Sequence, residues 1–294
     1  HAETTLAGGA EITDGATYTI SFRARWVSGS NQLNTRLYFN RLPRTTRLVR
    51  PSLHGTPGAP NSAFDPNPGP VFHDVSHLPA VPSPLEPVLV RASIDDPQGV
   101  DAVAVWRSVD GGPFTSDAMD VGPSGGYEAT VPGSPTGSVV QFYVEATDAL
   151  GGSATFPAAG PASRALWRVD DGDDGDDGDG GDGLRSLRIL MTPADADWFH
   201  AKPNLMSNDR LGATVIYDNR EVFYDVGVRA KGSERGRPST ARLGFGLFFH
   251  PEQPFRGVHT SVMVDRSEGV GFGQRELLMN QVMTRAGAVY GEYN

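Results

Sequence analysis

The amino-acid sequence predicts a multidomain, mainly β protein, with β-sandwich modules followed by an α+β lobe. Three observations predict it. Residues 16 to 26 alternate strictly, with Tyr18, Ile20, Phe22, Ala24 and Trp26 on one face, the two-residue period of a half-buried strand. Between residues 87 and 169, short β-rich runs recur with Asp, Gly and Pro clusters between them, the spacing of a sandwich. After residue 184, strand-like runs are joined by two helical segments, 194–201 and 274–285, so sheet and helix mix there.

Composition narrows the function classes. A chain of 294 residues has room for about two domains with ordinary cores. Its net charge is -10, and eight aspartates lie within residues 170–182, so the acidity is local. No basic surface emerges to offset it, which argues against a nucleic-acid partner. Cysteine is absent, which excludes disulfides, thiol catalysis and Cys-zinc sites and fits an exported bacterial protein. No run of 18 or more apolar residues spans a membrane. The chain begins at His1 and reads as an internal piece of something longer, with room for a leader upstream.

Residues 1–50 read as the closing strands of a β-sandwich. Asp14-Gly15 and Ser28-Gly29-Ser30-Asn31 bracket the alternating run as turns, and Asn34 to Asn40 reads as a second strand. Two strands bury no core of their own, so the aromatic face packs inward or, alternatively, lines a sugar-binding groove. Residues 51–86, rich in Pro, Gly, Ser and Asn, read as a linker. They contain His54, His73 and His77, which read as surface histidines, the alternative being a metal site built from His73 and His77. Residues 87–169 carry the expected sandwich strands Val88 to Val90, Val100 to Val109, Tyr127 to Val131, Val139 to Thr147 and Arg164 to Val169, with Trp106, Phe142 and Trp167 as core. Residues 170–183 alternate Asp with Gly. Their carboxylates suit calcium, yet they lack the ligand spacing and closing Glu of an EF-hand loop, and a self-repelling linker is the other reading.

Residues 184–294 hold the candidate site. A strand is expected from Leu184 to Met191, then a helix from Ala194 to Ala201 with Thr192 as its cap and Pro193 at its first position. Leu211 to Tyr217 and Glu221 to Ala230 form a hairpin over Asp218-Asn219-Arg220, and Gly244 to Phe249 and Val262 to Asp265 extend the sheet. The helix Gln274 to Arg285 places Leu277, Leu278, Gln281 and Val282 on one stripe that packs on it. Within the hairpin, Val226, Val228 and Ala230 alternate with Gly227, Arg229 and Lys231. Two cations therefore share one face, and Arg235 and Arg237 come next in a loop. The cluster reads as an anion or phosphate cradle, or as a solvated strand edge. Asp265-Arg266 reads as a local ion pair.

Several of these residues carry family resemblances. Leu187-Arg188-Ile189-Leu190-Met191-Thr192 with Trp198, Val226-Gly227-Val228-Arg229 with Gly232-Ser233, Pro254-Phe255-Arg256-Gly257 and Val264-Asp265-Arg266 resemble the opening of a CotH-type domain, an atypical protein-kinase-like domain. Gly55-Thr56-Pro57-Gly58-Ala59-Pro60-Asn61 is similar to the closing segment of lamin-tail-like domains. Asp110-Gly111-Gly112, Gly126-Tyr127 and Phe142 to Asp148 resemble immunoglobulin/fibronectin-III-like modules. The CotH resemblance implies a kinase-like N-lobe binding ATP and Mg, with Arg229 and Lys231 as phosphate-side cations, Glu276 as their partner and Arg242 as a further cation. It departs from the family at Gly244 to Phe249, which is mostly apolar, and it places the catalytic aspartates beyond Asn294. Together the resemblances imply an exported or cell-surface protein acting on a protein substrate. The alternative is a non-catalytic scaffold binding a surface polymer.

Overall fold

The computed structural model describes residues 13, 15–17, 24, 32–37, 41–48, 67–123, 125–172, 186–201, 204, 207, 209–231, 243–264 and 274–287. Strands dominate, all in antiparallel sheets. The chain divides into two compact units, one comprising Glu11–Pro68 and the other including Gly69–Asn294. In the first, β1 (Gln32–Leu37) pairs with β2 (Arg41–Arg47), Gln32 standing opposite Arg47. The strand expected at 34–40 thus starts two residues earlier and stops at Leu37. Most of the run 16–26 lies outside the described residues.

The second unit opens with a strand inside the stretch read as linker. β3 (Val71–Leu78) pairs with β4 (Val88–Asp95). Beyond β4 come β5 (Val100–Val109), β6 (Thr115–Ala118), β7 (Asp120–Val121), β8 (Tyr127–Val131), β9 (Val139–Asp148), β10 (Ser153–Phe156) and β11 (Ala165–Arg168). One sheet runs β3-β4-β8-β7 and the other β10-β9-β5-β6, with β11 also on β9. Alternation explains the core. Val88, Val90, Ala92 and Ile94 face Val103, Val105, Val140, Phe142 and Val144, all buried. Asp110 and Gly111 both have positive φ, 49° and 75°, and Gly112 N–H closes onto Val109 O at 2.9 Å, the twist-matched hairpin turn that Asp-Gly favours.

Two residues of this unit fall differently from the sequence reading. Trp106 is not core: with Val103 and Val105 inward, strand parity turns it to the outer face of β5. There its ring stacks on Tyr143 at 5.9 Å and Nε1–H donates to Glu145 at 2.8 Å. His77 is not a surface residue. It points inward beside Val75 and is 1% exposed.

A five-stranded sheet comes next, in the order β12-β13-β14-β15-β16. Its strands are β12 (Leu187–Leu190), β13 (Leu211–Tyr217), β14 (Glu221–Lys231), β15 (Gly244–Phe248) and β16 (Ser261–Val264). Between β12 and β13, α1 (Pro193–His200) is capped by Thr192, whose hydroxyl accepts from Asp195 N–H at 3.2 Å. Phe199 of α1 and Phe255 close one face over Val215, Phe223, Val226, Val228 and Leu247. The β13–β14 turn has Asp218 and Asn219 at φ 54° and 53°, as its residues foretell. α2 (Gln274–Arg285) corrects an expectation, because Leu278 and Val282 are 61% and 51% exposed. Those two positions of the stripe do not pack on the sheet, and the Leu277 side chain lies outside the described residues.

The sandwich and this sheet share a core. At Asp225, φ 52°, β14 carries a bulge opposite the Ala213–Val215 step, which resets the side-chain parity. Phe223 and Val226 therefore both enter the sheet's own core, while Tyr224 enters the sandwich core. Arg164 fastens the junction. Its backbone N–H donates to Asp225 Oδ1 at 3.1 Å, and its carbonyl accepts from Asp225 N–H and from the Thr214 hydroxyl. Its guanidinium forks onto both carboxylate oxygens of Asp195. Burial pushes the Asp195 carboxyl upward, but hydrogen bonds from Arg164 and Thr192 and the Arg164 charge outweigh it and hold the pKa low.

Candidate functional site

Of the basic residues singled out in the sequence, Arg229 and Lys231 lie on the face of the β12-β13-β14-β15-β16 sheet that Tyr224 also uses. With Val226, Val228 and Ala230 buried, Gly227, Arg229 and Lys231 project the other way, each half-buried. Cross-strand register supplies their neighbours. Gly227 stands between Gly212 and Phe248, Arg229 opposite Gly246, and Lys231 opposite Gly244. The apolar strand that departs from the CotH pattern therefore contributes glycines and one ring to the cationic face.

The missing side chains are filled by arginine stems. A Cβ on Gly212 would come within 2.7 Å of Arg164 Cγ, and one on Gly227 within 3.3 Å of Arg210 Cβ and Cδ. Each glycine is thus the floor under an arginine. Arg210, just ahead of β13, carries its guanidinium onto Phe248, Cζ 3.5 Å from the ring centroid, and Arg229 Cζ lies 5.6 Å from the same centroid, both within cation–π range. Among the described residues, Nε of Arg229 is enclosed and has no hydrogen-bond partner. Among the described residues neither Arg210 nor Arg229 has a carboxylate partner.

The structure thus brings Arg229 and Lys231 to one face and adds Arg210, which the sequence reading missed. Arg210 sits outside the alternating run, and only the opposition of Gly212 to Gly227 shows where its stem lies. Arg235, Arg237 and Arg242 lie outside the described residues, as do Asp265 and Arg266. Glu276 belongs to α2, but its side chain lies outside them too. No protein-family model matches the chain, and no curated protein does.

The donor set suits phosphate oxygens better than a bare metal ion. Among the described residues no three His, Asp or Glu side chains gather as metal ligands. His73 and His77 do not combine: His73 is exposed and lies 3.1 Å from Asp95, whereas His77 is buried. Most of the Asp/Gly tract lies outside the described residues. Asp171, at its start, pairs with Arg168. Read as a linker, the tract is expected to give only dilution heat when calcium is titrated into the chain; saturable heat would replace that reading with calcium binding.

Among the described residues no helix is long and apolar enough to cross a membrane.

Proposed function

We propose that residues 184–294 are a CotH-like kinase N-lobe within an exported modular bacterial protein, binding ATP for phosphoryl transfer to a protein substrate. One observation carries the reading. Arg229 and Lys231 stand on one sheet face, and among the described residues Arg229 has no carboxylate partner. A cation held without an internal acid is suited to phosphate oxygens. A five-stranded antiparallel sheet is the β layer that such a lobe needs. The β3-β4-β8-β7 and β10-β9-β5-β6 orders support an immunoglobulin/fibronectin-like module ahead of it.

ATP supplies the transferable γ-phosphoryl group. The protein's part is to hold the phosphates at Arg229 and Lys231, with Glu276 positioning the lysine. Titration of Mg-ATP into the chain is expected to saturate. Lys231→Ala is expected to weaken it about tenfold, the loss of one charge-assisted contact, and Glu276→Ala to weaken it less. Undiminished affinity in both variants would remove these roles.

The second reading, a non-catalytic surface scaffold, draws on α2, where Leu278, Met279 and Val282 are all more than half exposed. A chain that does not saturate with Mg-ATP would favour it.

A further inference from the structure

Two guanidinium groups share one aromatic ring on the face of β14. Arg210 lies over Phe248 at 3.5 Å and Arg229 at 5.6 Å from the same centroid. Like charges gathered on one ring repel each other. Several arginines of this unit are paired with acids: Arg91 with Glu128, Arg107 with Asp117, Arg164 with Asp195 and Arg168 with Asp171. Arg210 and Arg229 have no such acid among the described residues. Arg229 Nε is enclosed and has no hydrogen-bond partner among the described residues, so an incoming acceptor meets the outer edge of its guanidinium.

The floor beneath them is built from glycines, with the Met263 thioether over Gly246, its Sδ 3.2 Å from where a Cβ would stand. Gly227, Gly244 and Gly246 offer no side chain on this face, and Arg210's stem lies directly over Gly227. The ligand therefore meets two planar forks, one lysine and an aromatic edge. A carboxylate has only two oxygens to share between two forks. A phosphate has enough terminal oxygens to accept from two forks at once, and a polyphosphate can also reach the lysine.

We propose that Arg210 and Arg229 form a phosphate clasp over Phe248, taking a polyphosphate chain whose further oxygens lie toward Lys231. The assignment rests on the reading of Arg229 as a phosphate-side cation and extends it to Arg210, the ring and the glycine floor. Arg210 is thereby a binding residue as direct as Arg229. Phe248 is a positioning residue that keeps the two forks level.

The test is calorimetric titration of the whole chain with tripolyphosphate, without metal and at low salt, alongside ATP. Saturable binding of tripolyphosphate is expected. Arg210→Gln and Arg229→Gln should each weaken it about tenfold or more, as loss of a charge-assisted fork does. Arg210→Lys retains charge and most of the stem over Gly227 but loses the fork, and should recover only part of the affinity. Arg91→Gln, on the sandwich, should change nothing. No saturable tripolyphosphate binding, full binding by Arg210→Gln, or an equal loss in Arg91→Gln would each overturn the clasp. ATP binding that falls in Lys231→Ala but not in Arg210→Gln would overturn the clasp and leave the phosphate reading of β14 standing. Tripolyphosphate binding lost in Arg210→Gln, with ATP no tighter than tripolyphosphate, would support the clasp and remove the nucleotide from the proposed function.

Discussion

Acidification from about pH 7 to about pH 4 is expected to remove about 3 kcal/mol of stability from the larger unit through His77 alone. The ring is 1% exposed, with Nδ1 2.7 Å from the Tyr224 hydroxyl and Nε2 3.2 Å from the Ala80 carbonyl oxygen. A carbonyl only accepts, so Nε2 carries the hydrogen and Nδ1 accepts from Tyr224. Phe142, Trp167 and Tyr224 pack around it at centroid distances of 5.9, 5.3 and 5.7 Å. Burial lowers the His77 pKa to about 4, and the hydrogen bond to Ala80 offsets that only in part. The sign depends on which state binds the proton. Unfolded histidine protonates near its ordinary value of 6.5, while the folded ring resists until about 4. Its contribution is therefore complete above about pH 6.5, declines by up to about 1.4 kcal/mol per pH unit below that, and levels off below about pH 4. Urea unfolding across this range, compared between the wild-type chain and His77→Leu, measures the difference in slope. The variant loses two hydrogen bonds and is weaker at every pH, but its slope should be shallower. Parallel slopes would refute the assignment.

Local rules were legible in the sequence wherever a residue type answers to its immediate neighbours. Thr192 ahead of Pro193 marked the α1 cap, Asp218-Asn219 marked a turn, and the alternation from Val226 to Lys231 sorted one apolar from one cationic face. Features that depend on partners distant in the chain were not. Counting back by two from Val226 puts Tyr224 in the wrong core, because the bulge at Asp225 shifts the parity and nothing in the string Phe223-Tyr224-Asp225-Val226 announces it. His77 looked like a linker histidine because its partner Tyr224 lies 147 residues away. Trp106 looked like core because size suggests burial, yet Glu145 and Tyr143 hold it on the outer face. The site divides along the same line. Arg229 and Lys231 declare themselves by period, while Arg210 is placed only by cross-strand register.

The largest mutational effect is expected at Tyr224. Replacing it with Ala removes a ring packed edge-on to Phe142 at 5.5 Å and to Phe156 at 6.0 Å, a truncation that costs about 3–5 kcal/mol in a close-packed core. It also leaves His77 Nδ1 without its donor. Tyr224→Phe keeps the ring and isolates that second part, about 1–3 kcal/mol. The consequence goes beyond the sum, because Tyr224 is a β14 residue buried in the sandwich core. With it in place the sandwich and the five-stranded sheet share apolar contacts, and native-state hydrogen exchange should find amides of β9 and β13 opening at matched free energies. Without it, the junction keeps the Arg164 contacts to Asp225, Thr214 and Asp195 and the packing of Val222, but loses its buried ring. Polar contacts at a partly wet seam contribute less than a buried ring. The β13 amides of Tyr224→Ala should therefore open well before those of β9. Matched opening energies in the variant, with a loss below about 1 kcal/mol, would mean that the backbone and Arg164 contacts, not Tyr224, couple the two sheets. The lobe that carries Arg210, Arg229 and Lys231 would then owe its orientation to hydrogen bonds instead of to a shared core.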